Sequence, residues 1–211
     1  MKKTRFVLLA LVAALALMGA GYAAWTQSFN IGGTVKTGEL FVEIAKGDTT
    51  VKLMTKDGVV EVTEGNAAQY SIKYPDITTE STDNDKQTLK SIHYDLDLIP
   101  GMQVISVITF ENKGSMRTKP TAIVKDAPGD INILEFSVNG VRVKASGEQT
   151  KLQALADAIA EAVGVLGIGE VDAEAKTVTI TQELPKGSDS ETENKDLNWS
   201  VELLFEQYTG E

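Results

Sequence analysis

The sequence predicts an all-β fold, a jelly-roll β-sandwich with one helix-containing insertion late in the chain. Three observations carry that expectation. About ten short segments alternate apolar and polar residues, the period of a strand with one buried face. Turn residues, Gly, Pro, Asn and Asp, separate them. Helical spacing occurs once after the leader, and many short strands with intervening turns build a two-sheet sandwich.

Taken in order, Trp25, Gln27, Phe29 and Ile31 alternate with Thr26, Ser28 and Asn30, and Gly32-Gly33 breaks the run. Leu40, Val42 and Ile44 form the next strand. Beyond Gly47-Asp48 come Val51 to Met54 and Val59 to Val62, joined through Asp57-Gly58, a hairpin turn signal. Tyr70 to Lys73 is a weaker strand ended by Pro75, and the polar, acidic stretch from Asp76 to Gln87 reads as a surface loop. Ile92, Tyr94, Leu96 and Leu98 share one strand face, with His93, Asp95 and Asp97 on the other. Val104 to Glu111, Thr121 to Lys125, Ile131 to Asn139 and Val141 to Lys144 are further strands, the last two joined by Asn139-Gly140.

Leu152, Leu155, Ala156, Ile159, Ala160 and Val163 then recur at helical spacing, with Thr150 and Gln153 as a capping box and Gly164 as the stop. Packing that stripe on its own domain is the ordinary role of an amphipathic helix; docking a partner is the alternative. Ile168 to Asp172 and Lys176 to Thr181 follow as strands, and Lys186 to Asp196 as a second acidic loop. In the closing strand Leu197, Trp199, Val201, Leu203 and Phe205 point one way, with Leu204 the exception to the alternation.

The first 24 residues read as an export signal. Lys2, Lys3 and Arg5 precede an apolar run from Phe6 to Met18, and small residues lead to Ala23 and Ala24. The low-polarity stretch also approaches the roughly 18 to 20 residues that span a bilayer, so an uncleaved anchor is the alternative. The small-residue rule puts the cut after Ala23, or one residue later. Removing 24 of 211 residues leaves 187 and takes the formal charge from −10 to −13. That acidity argues against nucleic acid and anionic membrane surfaces as partners. The chain has no cysteine, which excludes disulfides, thiolate metal sites and a cysteine nucleophile.

Catalytic chemistry finds little support. A zinc peptidase uses two histidines and a carboxylate, commonly in H-E-x-x-H, and His93 is the single histidine. Ser91, His93 and Asp95 share a strand face, but neighbours two apart stand roughly 6.5 to 7 Å apart and parallel, too far for a nucleophile-to-base hydrogen bond. His93 therefore reads as a solvent-facing strand residue. Weak calcium candidates are Asp83 and Asp85 with Asn84, or Asp189, Glu191 and Glu193, but neither run continues as an EF-hand loop and both read as solvated loops. No cofactor is expected. The Asn198-Trp199-Ser200 sequon lies in a predicted strand and reads as chance.

The chain resembles the TasA and camelysin group of exported proteins processed by a SipW-type signal peptidase. The matching residues are Gly21-Tyr22-Ala23-Ala24-Trp25-Thr26, Thr37-Gly38-Glu39-Leu40, Leu98-Ile99-Pro100-Gly101, Phe110-Glu111-Asn112-Lys113-Gly114-Ser115 and Phe205-Glu206-Gln207. The resemblance moves the cut to follow Ala24, leaving Trp25 as the mature N-terminus. It implies a secreted jelly-roll subunit of an extracellular matrix fibre or pilus-like filament, non-enzymatic, whose N-terminal strand fills a gap in the next copy's sheet. Part of the group carries a metallo-endopeptidase label, so a monomeric or membrane-tethered surface protein, adhesive or peptidase-like, is the runner-up.

The residues fit the same mechanism. An exposed sheet edge carries unpaired backbone donors and acceptors, which an extended segment satisfies while alternate side chains enter pockets. The anchors would be Trp25, Phe29 and Ile31. Burying three such groups contributes roughly 5 to 9 kcal/mol before ordering costs, and Trp25 to Val35 extended reaches about 35 Å. Donor and acceptor surfaces differ, so the contact is head-to-tail and propagates. A first strand pairing within its own domain is the competing reading, and Gly32 and Gly33 serve either as an intersubunit hinge or as a turn. The expected organisation is a signal at 1–24, a donor strand and Gly hinge at 25–36, and a jelly-roll domain at 37–211 with its helical insertion at about 145–175. Expected partners are further copies of the chain, the signal peptidase during export, and the membrane only before cleavage.

Overall fold

The computed structural model describes residues 38–83, 87–124, 129–147, 149–168, 175–188 and 197–210. The chain divides into two compact units, Met1–Thr37 and Gly38–Glu211, and all described residues belong to the second. The signal, the cleavage residues Ala24 and Trp25, the anchors Trp25, Phe29 and Ile31, the hinge Gly32-Gly33 and the weak metal candidate Asp85 lie outside the described residues. So do Asn84, the 189–193 acids and most of the strand expected at Ile168 to Asp172.

Among the described residues ten strands form two antiparallel sheets. They are β1 (Val42–Met54), β2 (Val59–Val62), β3 (Asp76–Asp83), β4 (Thr88–Asp95), β5 (Met102–Asn112), β6 (Thr118–Ile123), β7 (Glu135–Val138), β8 (Val141–Arg142), β9 (Lys176–Glu183) and β10 (Trp199–Gln207). One sheet has the order β2-β1-β5-β9-β7-β8, the other β3-β4-β10-β6. The alternating apolar rows face one another across the sandwich. Val104, Ile108, Phe110, Val178 and Ile180 from one sheet and Ile92, Tyr94, Val201, Leu203 and Phe205 from the other are fully buried or nearly so. Two polar braces cross the core. The Tyr94 hydroxyl and Ser106 Oγ are 2.7 Å apart, and Trp199 Nε1 donates to Gln182 Oε1 at 3.1 Å. Burial pushes the Tyr94 phenol well above its ordinary range, so it stays protonated.

Helix α1 (Lys151–Val163) lies between β8 and β9 in sequence. Thr150 Oγ1 accepts from Gln153 N, and Gly164, at φ +62°, donates its N–H to Ala160 O, as the sequence predicts. Only half of the capping box forms, because the Gln153 side chain donates forward to Asp157. Leu152, Leu155, Ala156, Ile159 and Val163 are buried in their own domain, against β6, β7, β9 and β10. The helix thus closes the flank of the sandwich where β6 and β7 lie.

Four expectations are corrected, and the first is that Ile131 to Asn139 forms one strand: Gly129–Ile133 is a 3-10 turn and β7 begins at Glu135. The strands expected at Leu40 to Ile44 and at Val51 to Met54 are one strand that begins at Val42, because β5 runs unbroken beside it and absorbs Gly47-Asp48 as a bulge between Lys46 and Thr49. Tyr70 to Lys73 is not a strand. A 3-10 turn (Ala67–Tyr70) forms instead, with Ser71 at φ +57° and Asn66 Oδ1 accepting from Thr63 N. The expected loop from Asp76 is β3, an eight-residue strand paired in continuous register with β4.

Candidate assembly site

The second unit begins with a clamp. Residues 39–41 precede β1 and lie against the turn after β5. Ser115 N donates to Glu39 O at 2.8 Å, Glu39 N donates to Ser115 Oγ at 2.7 Å, and the N–H groups of Lys113 and Gly114 both reach Phe41 O, at 2.9 and 3.0 Å. Asn112 holds the turn from below, its Nδ2 donating to Met116 O and Gly167 O and its Oδ1 accepting from Gly114 N. A Cβ on Gly114 would meet Glu39 O at 2.4 Å and Phe41 N at 2.7 Å, both backbone atoms, so this close approach requires glycine.

Next to the clamp lies a buried cation. Lys90 projects from β4 in the same inward row as Ile92 and Tyr94, and its side chain is 1% exposed. Its Nζ donates to Asp83 Oδ1 at 3.0 Å and to Ser81 Oγ, and lies 5.5 Å from the centre of the Phe41 ring. Thr88 Oγ1 donates to Leu40 O at 3.3 Å. Burial pushes the Asp83 carboxyl up, but hydrogen bonds from Ser81, Lys90 and Thr88 and the Lys90 charge outweigh it, so its pKa lies below the usual 3.8. Clamp and cation together join the root of the N-terminal segment to the Asp83 end of β3.

Among the described residues β3 has a neighbour on one side only, and so has the first half of β1, whose partner β2 starts at Val51. These two edges bound the flank opposite the helix, where β1 and β3 come within 8 Å, Cα to Cα. The 63–75 connection closes one end of it, with Tyr74 Oη donating to Thr49 O at 3.0 Å. Phe41, 37% exposed, and the half-buried Ile44 lie toward the other end.

No family model, curated protein or solved structure matches the chain.

The motif segments behind the resemblance have definite structural places. Gly38 to Leu40 and Phe110 to Ser115 meet in the clamp. Gly101, at φ +86°, donates to Leu184 O and accepts from Met54 N, tying the β1–β2 hairpin to β5 and β9. Phe205 packs 6.0 Å from Phe110 across the core, ring centre to ring centre, and Glu206 accepts from Gln87.

His93 lies on the outer face of the four-stranded sheet with 40% of its side chain exposed, in a depression of about 310 Å³ lined also by Asp76, Thr78, Asp95, Asn198 and Ser200. Its Nε2 is 3.6 Å from Glu80 Oε2, while Asp95 is taken by Lys73 at 2.6 Å. Ser91, His93 and Asp95 are thus brought to one face but not into a relay. Asp83 is held by Lys90 and Ser81. Among the described residues no three His, Asp or Glu side chains are grouped to hold a metal ion, and no helix is long and apolar enough to cross a membrane. Sequence reasoning missed Lys90, since a lysine in an apolar row looks like a break in the pattern. Its only signal was the Ile92-Tyr94 row continued two residues back.

Proposed function

We propose that this protein is an exported, non-enzymatic filament subunit of jelly-roll type that polymerises head-to-tail by donor-strand complementation. Trp25, Phe29 and Ile31 are the anchors, Gly32-Gly33 is the hinge, and cleavage after Ala24 frees the donor. The observation that carries the reading is the eight-residue edge of β3, bonded on one side only among the described residues. Such an edge is a template for another chain unless something covers it. The clamp supports it, since a donor under load needs a rigid root and residues 39–41 are held by five hydrogen bonds to their backbone groups. Connections β2 to β3, β4 to β5, β5 to β6, β6 to β7 and β9 to β10 all pass between sheets, as jelly-roll connections do.

The test is deletion of Trp25 to Ile31 in the chain expressed from its full sequence. Electron microscopy of the secreted parent should find uniform fibres and of the variant dispersed particles. Fibres of normal length from the variant defeat the proposal.

A further inference from the structure

We infer that the acceptor is the outer edge of β3, and that its occupant is residues 25–31 of a second copy of this chain; this rests on the donor-strand reading above. The pairing parity identifies the free groups. Thr118 exchanges both its backbone hydrogen bonds with Leu166, so its N–H and C=O point away from β10. In a regular antiparallel ladder the direction alternates residue by residue. Following the registers from β6 through β10 and β4, residues Leu203, Val201 and Trp199 bond β4, while Leu89, Ser91 and His93 bond β3. The backbone groups of Ile77, Thr79, Ser81 and Asp83 therefore point outward, with no backbone partner among the described residues. Working inward from Leu184 bonded to Met102 O, the same alternation turns those of Val42, Ile44 and Lys46 toward the same flank.

The other edges do not offer this. On β6 the outward positions are Thr118, taken by Leu166, and Pro120, which has no N–H. On β2 only Val59 and Glu61 face out, and Glu61 O accepts from Asn66. β8 is two residues long. The free stretch of β1 runs only from Val42 to Lys46 before the bulge, so among the described residues only β3 offers an unbroken edge long enough to register a seven-residue donor.

Charge and direction select the occupant. β3 carries Asp76, Glu80 and Asp83, so two β3 edges brought together would face acid with acid, a known protection against edge pairing. Residues 25–37 contain no acid and one base, Lys36, in a chain of net charge −10. The root of a chain's own segment lies at the Asp83 end of β3, so folding back along its own edge would run parallel to β3. Every pair in both sheets is antiparallel, and a second copy can approach in that direction.

The chain has no cysteine, so introduced thiols report a single contact. Thr78→Cys chains, whose thiol lies on the outer face of β3 as Ser28 does on the donor, are mixed with Ser28→Cys chains and oxidised, with Thr121→Cys on β6 and Val141→Cys on β8 as comparators. The Thr78→Cys mixture should give on the order of 100-fold more mixed dimer than the comparators, the ratio of a millimolar effective concentration to ~10 μM free chain. Fibres with cross-linking concentrated at Val141→Cys or Thr121→Cys, or equal at all sites, overturn the acceptor while the donor-strand reading stands. A Ser28→Cys/Thr78→Cys double variant that closes within dilute monomers overturns the second-copy occupant. Absence of fibres from the parent chain overturns the donor-strand reading itself.

Discussion

Replacing Gly114 by Ala should loosen the clamp at the base of the N-terminal segment, and the size of the effect follows from its geometry. The new Cβ would lie 2.4 Å from Glu39 O and 2.7 Å from Phe41 N, and since both are backbone atoms no side-chain rotation relieves the clash. Either the 113–115 turn or residues 39–41 must shift, which breaks or stretches the bonds from Ser115 N to Glu39 O and from Gly114 N to Phe41 O. Each such bond contributes a net ~0.5–1.5 kcal/mol, so losing two costs about 2 kcal/mol. In a domain of this size that lowers Tm by about 4–8 °C. Thermal denaturation followed by circular dichroism is the assay. Gly187→Ala, with no atom within 4 Å of its added Cβ, is the control and should melt with the parent. A Gly114→Ala chain melting within about 1 °C of the parent would refute the close approach.

Two further changes probe the core and the cation. Trp199 stacks on Tyr94 at 4.0 Å between ring centres and meets Phe136 edge-on at 5.6 Å, so Trp199→Ala should cost about 3–5 kcal/mol in a urea titration; a loss under about 1 kcal/mol would mean that the sandwich repacks there. Asp83 has a carboxyl held below its ordinary pKa, so its contribution is complete above about pH 4 and is lost as pH falls through the lowered folded value. Asp83→Asn should therefore be less stable than the parent near neutrality, with the two acid-unfolding curves converging at low pH. Curves that stay parallel throughout would show that the Lys90 pairing stabilises nothing.

The strands with strong apolar alternation were legible because burial alone dictates them. Leu197, Trp199, Val201, Leu203 and Phe205 are all buried in one row, and the helix from Leu152 to Val163 announced its cap and its stop. β3 was not legible. Its inward row is Ile77, Thr79, Ser81 and Asp83, and only Ile77 is apolar, since the flank opens toward Asp83 and the Lys90 ammonium replaces core contact there. A polar strand of this kind reads as a loop until its partner is known. The bulge at Gly47-Asp48 escaped for a related reason, because continuity of β1 is imposed by β5 more than fifty residues away. The anchors could be read only from the alternation of Trp25, Phe29 and Ile31, whereas the clamp was visible only as motif segments whose meeting point the sequence does not reveal.

In the proposed filament the β3 edge is open in the free subunit and filled in the polymer. Hydrogen exchange at the amides of Ile77, Thr79, Ser81 and Asp83, compared between dilute chains and assembled fibres, tests it most directly. Rapid exchange is expected in the dilute chain and strong protection in the fibre, with the β4-facing amides of Thr78 and Glu80 protected in both. Equal protection of all six amides in the dilute chain would contradict it.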